Sequence, residues 1–169
     1  MEKIGIFFGS TEGNTERIVN QLQTQLGGEP DVVLHNVNSA TAEDMETYPN
    51  LILACPTWDI GQLQEDWESF IDEIEKIDYA GKRVTFLGLG DIDGYPDTYQ
   101  DALGIIYERI KDKGATFMGA WPTEGYDYEG SKAVVNGKFL GLCLDEDNEK
   151  DLTPGRIEKW VAQLKGEFQ

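Results

Sequence analysis

Short apolar runs alternate with helical stripes along this 169-residue chain, and that alternation restricts the fold more than any other feature. Ile4–Phe8 suits a strand covered on both faces, and Ile18, Val19, Leu22 and Leu26 then fall on one helical stripe that Gly27 and Gly28 end. Further strands are predicted at 31–37, 51–55, 82–89 and 116–120. Between them come a weak helix at Ala42–Glu46 and a helix buried through Leu63, Trp67, Phe70, Ile71 and Ile74. Another helix is expected to begin at Asp97, where Gln100 three residues on comes close to a capping box, and to bury Leu103, Ile106, Tyr107 and Ile110. Thr153 and Pro154 read as the cap and first position of a last helix with Ile157, Trp160, Val161, Leu164 and Phe168 inward. Five strands separated by helices predict an α/β fold, a doubly wound parallel sheet in one domain over 1–169, with ligands outside the carboxyl ends of the strands.

Composition narrows the partners. Fourteen basic against 32 acidic side chains give a formal charge of −18, spread along the chain. A polyanion gains nothing by releasing counterions to such a surface, so nucleic acid is excluded, whereas a basic protein would be drawn in. No charged n-region and no apolar run of membrane-spanning length is present, which predicts a soluble cytoplasmic protein. Cys55 and Cys143 lie far apart beside apolar residues and read as buried free thiols.

Three predicted strands end in loops able to hold a ligand. Phe8 leads into Gly9, Ser10, Thr11, Glu12, Gly13, Asn14 and Thr15, which offer hydroxyls, glycines that admit close backbone approach, and the unpartnered N–H groups of a helix start. No Lys or Arg precedes Arg17 except Lys3, ahead of the first strand, and the P-loop lysine is missing, so an anion here is held by neutral donors and not as a nucleotide triphosphate. Taken alone, the stretch fits a strand, a tight turn and a hydroxyl cap on an ordinary helix slightly better than an anion site. The third strand ends at Pro56, Thr57, Trp58, Asp59, Ile60 and Gly61, and the fourth at Leu89, Gly90, Asp91, Ile92, Asp93, Gly94 and Tyr95. Trp58 and Tyr95 lack the periodic apolar neighbours of core positions; each is a stacking surface for a planar ring or a lid folded onto the core.

These residues resemble the flavodoxins, specifically the long-chain flavodoxins of cyanobacteria and algae. The likeness covers the whole chain through Gly9-Ser10-x-x-Gly13-Asn14-Thr15, Cys55-Pro56-Thr57-Trp58-x-Ile60-Gly61, Gly90-Asp91-x-x-Gly94-Tyr95, Gly125-Tyr126-Asp127-Tyr128 with Ser131-Lys132, and Leu144-Asp145-Glu146-Asp147-Asn148. It implies a flavodoxin-like five-stranded sheet in the order 2-1-3-4-5 with helices on both faces and the last strand split by an insertion at 121–139. It further implies that Ser10, Thr11, Gly13, Asn14 and Thr15 bind the phosphate of FMN, with Glu12 contributing through its backbone N–H. Trp58 and Tyr95 would stack on the two ring faces, the backbone of Thr57, Asp59, Ile60 and Gly61 after Pro56 and of Leu89, Gly90 and Asp91 would meet the ring edges, Gln100 counts among the cofactor-binding positions, and Asp147 lies near the ribityl hydroxyls. Glu12 replaces a usual threonine and Asp59 a usual asparagine, and both add negative charge.

The resemblance implies a low-potential one-electron carrier, a monomer that serves basic redox proteins such as photosystem I and ferredoxin–NADP reductase in place of ferredoxin. Its rival is an FMN-dependent NAD(P)H quinone or nitro reductase of the same fold, which needs an open substrate pocket over the ring. A phospho-acceptor signalling domain needs acids at the end of the first strand, where Phe8, Gly9 and Ser10 supply none. Partners are expected to seat on Trp58, Ile60, Ile92 and Tyr95. The run 145–149 lacks the glycine of a calcium loop and reads as a solvated acidic turn. His35 has no second histidine or nucleophile for a zinc site or a triad.

Overall fold

The computed structural model describes residues 2–10 and 13–168. In chain order the elements are β1 (Ile4–Phe8), α1 (Asn14–Gln25), β2 (Val32–Asn36), α2 (Ala42–Glu46), β3 (Asn50–Trp58), β4 (Gln62–Leu63), α3 (Glu65–Ile74), β5 (Arg83–Leu89), α4 (Asp101–Ile110), β6 (Thr116–Phe117), β7 (Trp121–Pro122), β8 (Val134–Val135), β9 (Lys138–Phe139), β10 (Leu142–Leu144) and α5 (Thr153–Glu167). β2, β1, β3 and β5 pair in parallel in that order. The last position beside β5 is shared by two pieces, β6 opposite Arg83–Val84 and β10 opposite Leu87–Leu89. Counting the parallel strands alone, with β5 as the fourth and β6 and β10 together as the fifth, the order is 2-1-3-4-5 with the last strand split, as expected, and 116–120 shrinks to two paired residues before the chain leaves the sheet.

Alternation along the strands sorts the core into two layers. On β1, Ile4, Ile6 and Phe8 face α1 and α5 with Ile18, Leu22, Ile157 and Trp160, while Phe7 faces the other way. On β3, Ile52 and Ala54 join the first layer and Leu51, Leu53 and Cys55 the second, which α3 and α4 cover with Trp67, Phe70, Leu103 and Ile106. His35 stacks on Phe7 and hydrogen-bonds Tyr48 Oη at 2.6 Å; burial pushes its pKa down, against the opposing charge of Asp44. Cys55 and Cys143 are buried and free, and burial pushes the Cys55 thiol up to about 12, so it carries no thiolate reactivity at neutral pH. No helix among the described residues is long and apolar enough to cross a membrane.

Three boundaries differ from expectation. β3 continues past Cys55 to Trp58; Pro56 is accommodated because β1 ends opposite Ala54, leaving Pro56 paired on the β5 side alone. Leu63 belongs to β4, which folds back antiparallel on Thr57 and Trp58. α4 begins at Asp101 and not at Asp97, with Gln100 in a left-handed conformation (φ 61°) and no capping side-chain bond of its own.

The insertion, 121–139, folds into a small antiparallel sheet in the order β7-β9-β8. Tyr126 anchors it: its hydroxyl donates to Cys143 O at 2.6 Å and accepts from Trp121 Nε1 at 2.9 Å, and Arg156 lies 4.2 Å from the ring centre. Gly104 of α4 lets the Lys132 backbone approach, since a Cβ there would collide with Lys132 O. Gly141, where the chain rejoins the sheet, is packed against the Phe86 carbonyl. Gly141→Ala would therefore force β10 away from β5, and it is expected to lower stability by about 1–3 kcal/mol in urea denaturation, the usual cost of overpacking.

Candidate functional site

At the carboxyl end of the sheet, loops after β1, β3, β5 and β10 enclose a cleft of about 430 Å³. Ser10, Asn14, Thr15, Pro56, Thr57, Trp58, Asp59, Leu89, Gly90, Asp91, Tyr95, Glu146 and Asp147 line it. Twelve of these were picked out from sequence, and strand polarity explains why they meet: parallel strands deliver all their carboxyl-end loops to one edge.

The first loop turns into α1 through Gly13, which is left-handed (φ 88°) and donates its N–H to Ser10 Oγ at 3.1 Å. Gly9 is tight, because a Cβ would strike the Gln64 amide at the start of α3. Thr11 and Glu12 lie outside the described residues. Thr57 reaches across to α4 and its Oγ1 accepts the Ala102 N–H at 3.1 Å, supplying the cap that Gln100 does not. Asp59, Ile60 and Gly61 form the three-residue turn between β3 and β4, with Asp59 (φ 46°) and Gly61 (φ 75°) both left-handed. Asp tolerates that region better than most residues, and Gly61 has no room for a side chain, since a Cβ would lie 2.9 Å from Asp101 Oδ2. Burial raises the Asp101 pKa, opposed by the N–H and charge of Lys132.

Several predicted positions stand away from the cleft wall. Ile60 is 74% exposed at the turn tip, and Gly61 is buried against α4. Gln100 is fully buried, its Nε2 donating to Leu144 O at 3.0 Å while Oε1 has no partner, beside Gly88 and Gly90, where it packs the site from behind. Ile92 is only 5% exposed and belongs to the core, so it does not present the docking surface expected of it; Ile60 and Tyr95, the latter 42% exposed, are the apolar rim.

The 145–149 run is a turn, with Asp147 and Asn148 exposed as expected, but it is not solvated throughout. Asp145 is fully buried, and its carboxylate accepts Asp147 N (3.0 Å), Asn148 N (2.9 Å), Ile92 N (2.9 Å) and Asn148 Nδ2 (2.8 Å). Asn148 Nδ2 also reaches Asp91 Oδ1 at 2.7 Å, which in turn accepts Gly94 N at 2.8 Å. The loop carrying Tyr95 is thereby fastened to the end of β10, and Pro96 O accepts Glu129 N and Gly130 N from the insertion on its other side. Glu146 is the lining residue that sequence reasoning missed; nothing in an acidic run signals that its side chain turns inward to 5% exposure. Its Oε1 accepts Arg17 Nη2 at 2.7 Å and its Oε2 accepts Thr153 Oγ1 at 2.6 Å. Thr153 is the first residue of α5 and not its cap, which is Leu152.

Among the described residues the lining is polar at Ser10, Asn14 and Thr15, aromatic at Trp58 and Tyr95, and acidic through Asp59, Asp91, Glu146 and Asp147, with no Lys or Arg. No group of three or more candidate ligands for a metal ion occurs among the described residues. Asp145→Ala leaves three backbone N–H groups without their acceptor and is expected to cost about 2–4 kcal/mol by urea denaturation. Exposed Asp93→Ala in the same loop should change stability by less than about 0.5 kcal/mol.

A family model described as flavodoxin matches residues 6–160. The chain is 50% identical to the flavodoxin of Trichodesmium erythraeum over 169 residues, 99% of each chain, and 42% identical to that of Haemophilus influenzae over 99% of this chain and 97% of the relative. Among solved structures it is similar to Fusobacterium nucleatum flavodoxin bound to flavin mononucleotide, with a TM-score of 0.94, 34% identity and complete coverage of both chains.

Proposed function

This chain belongs to the flavodoxin family, and we propose that its cleft binds one FMN noncovalently and that the loaded protein passes single electrons between basic redox proteins. As a member of that family it is an electron carrier and not an enzyme. What carries the ligand assignment is the convergence of Ser10, Asn14 and Thr15 with Trp58 and Tyr95 on one cleft of about 430 Å³. That volume lies within the range of about 300–1,000 Å³ usual for small-molecule sites, and hydroxyl donors at one end with aromatic walls at the other suit a phosphate joined to a planar ring.

The flavin supplies the one-electron chemistry when bound; the protein supplies position and electrostatics. Ser10, Asn14, Thr15 and the α1 N–H groups receive the phosphate without a countercharge. Asp147 would stand beside the ribityl chain, and Trp58 and Tyr95 would cover the ring faces and exclude water. The backbone of 57–59 and 89–91 would meet the ring edges. Asp59, Asp91 and Asp147 would disfavour added negative charge on the ring, which would make the reduced protein a strong donor. Photosystem I as donor and ferredoxin–NADP reductase as acceptor, with the carrier monomeric in the cytoplasm, complete the proposal. With Trp58 and Tyr95 on its two faces, a bound ring would leave no open face for a second substrate, which favours a carrier over a quinone or nitro reductase.

FMN should quench and bind more tightly than riboflavin by at least about tenfold, since riboflavin forfeits charge-assisted hydrogen bonds worth roughly 1.5–3 kcal/mol each. Equal affinities in fluorescence titration would refute the phosphate assignment. Association with a basic reductase is expected to slow steeply between low and physiological salt in stopped-flow measurements, whereas a salt-insensitive rate would leave the charge of −18 as a solubility device.

A further inference from the structure

Two side chains lining the phosphate end of the cleft, Asn14 and Glu146, hold the guanidinium of Arg17. Arg17 Nη2 donates to Asn14 Oδ1 at 3.2 Å and to Glu146 Oε1 at 2.7 Å. Arg17 is half exposed, but Glu146 is nearly sealed, and its second oxygen takes the Thr153 hydroxyl at 2.6 Å. An inward carboxylate at a site meant for an anion is unfavourable unless its charge is balanced, and an arginine beside such a site is an ordinary phosphate ligand unless something else engages it. Each of these residues removes the other's effect.

We infer that Glu146 is a specificity-determining residue that withholds Arg17 from the ligand phosphate. The inference rests on the phosphate assignment made above. The Arg17–Glu146 pair presents almost no net charge to the phosphate, so the anion is bound by hydroxyls and backbone N–H groups alone. The pair thus sets how much of the ligand's affinity comes from its phosphate. The alternative is a tie between α1 and the start of α5 that has no bearing on the ligand.

The two accounts separate in titrations of the apoprotein with FMN, riboflavin and inorganic phosphate. Glu146→Gln keeps an acceptor for Thr153 and frees the arginine charge. It should tighten FMN and inorganic phosphate about fivefold, the size of one solvated charge interaction at a few ångströms, and leave riboflavin unchanged. Arg17→Gln leaves the carboxylate uncompensated and should lower the FMN-to-riboflavin affinity ratio by a similar factor. The double variant should return that ratio close to the wild-type value. An unchanged or lowered ratio in Glu146→Gln overturns the inference and identifies the pair as a structural tie. If Glu146→Gln loses its fold by far-UV circular dichroism, an unchanged ratio in Arg17→Gln overturns it equally. Equal binding of FMN and riboflavin by the wild type would instead refute the phosphate assignment itself, and this inference with it.

Discussion

The site depends on the way one buried carboxylate is satisfied. Removing a carboxylate from water costs several kcal/mol unless its lone pairs are filled, and Asp145 fills them with N–H donors and not with a cation. Three of the four donors come from the loop that follows it and the fourth from Ile92, so the charge joins the loop after β5 to the end of β10. Leu144 O extends the junction by accepting Gly90 N and the Gln100 amide. Tyr95 therefore stands on a loop secured from the sheet side by Asp145 and from the outer side by the insertion through Pro96 O.

Charge is distributed with the same economy. Among the described residues the lining has four acidic side chains and no Lys or Arg, and Arg17 is occupied by Glu146. Neutral donors bind an anion without stabilising negative charge elsewhere on it, which allows a site to retain a phosphate while leaving an attached ring easily able to give up an electron. A cation serving the phosphate would act on both ends of the ligand, because in a partly desolvated cleft its field is only weakly screened.

The rim is apolar where it is most exposed. Ile60 projects from a turn in which Asp59 and Gly61 take left-handed conformations, and it and Tyr95 are two desolvatable side chains exposed on a strongly acidic protein.

The sequence by itself determined the layers, the strand order through its resemblance, and nearly all of the cleft. Apolar runs of strand length between helical stripes permit little else, and parallel strands bring their loops to one edge whatever the side chains do. Ser10, Trp58 and Tyr95 were legible because small hydroxylic or aromatic residues without core periodicity stand out at strand ends. What only the tertiary structure decided were the side chains whose role depends on residues far away in the chain. Asp145, Glu146 and Asp147 are three adjacent acids with one composition and three environments: sealed under Ile92 N, turned inward against Arg17, and lining the open cleft. Ile92 sank into the core and Gln100 behind β5, while Thr57 took over the cap of α4, since each is placed by contacts more than 40 residues distant or by a backbone conformation that local pattern does not encode. Local propensity is read along the chain, but burial and hydrogen-bond partnership are set by what the fold brings opposite.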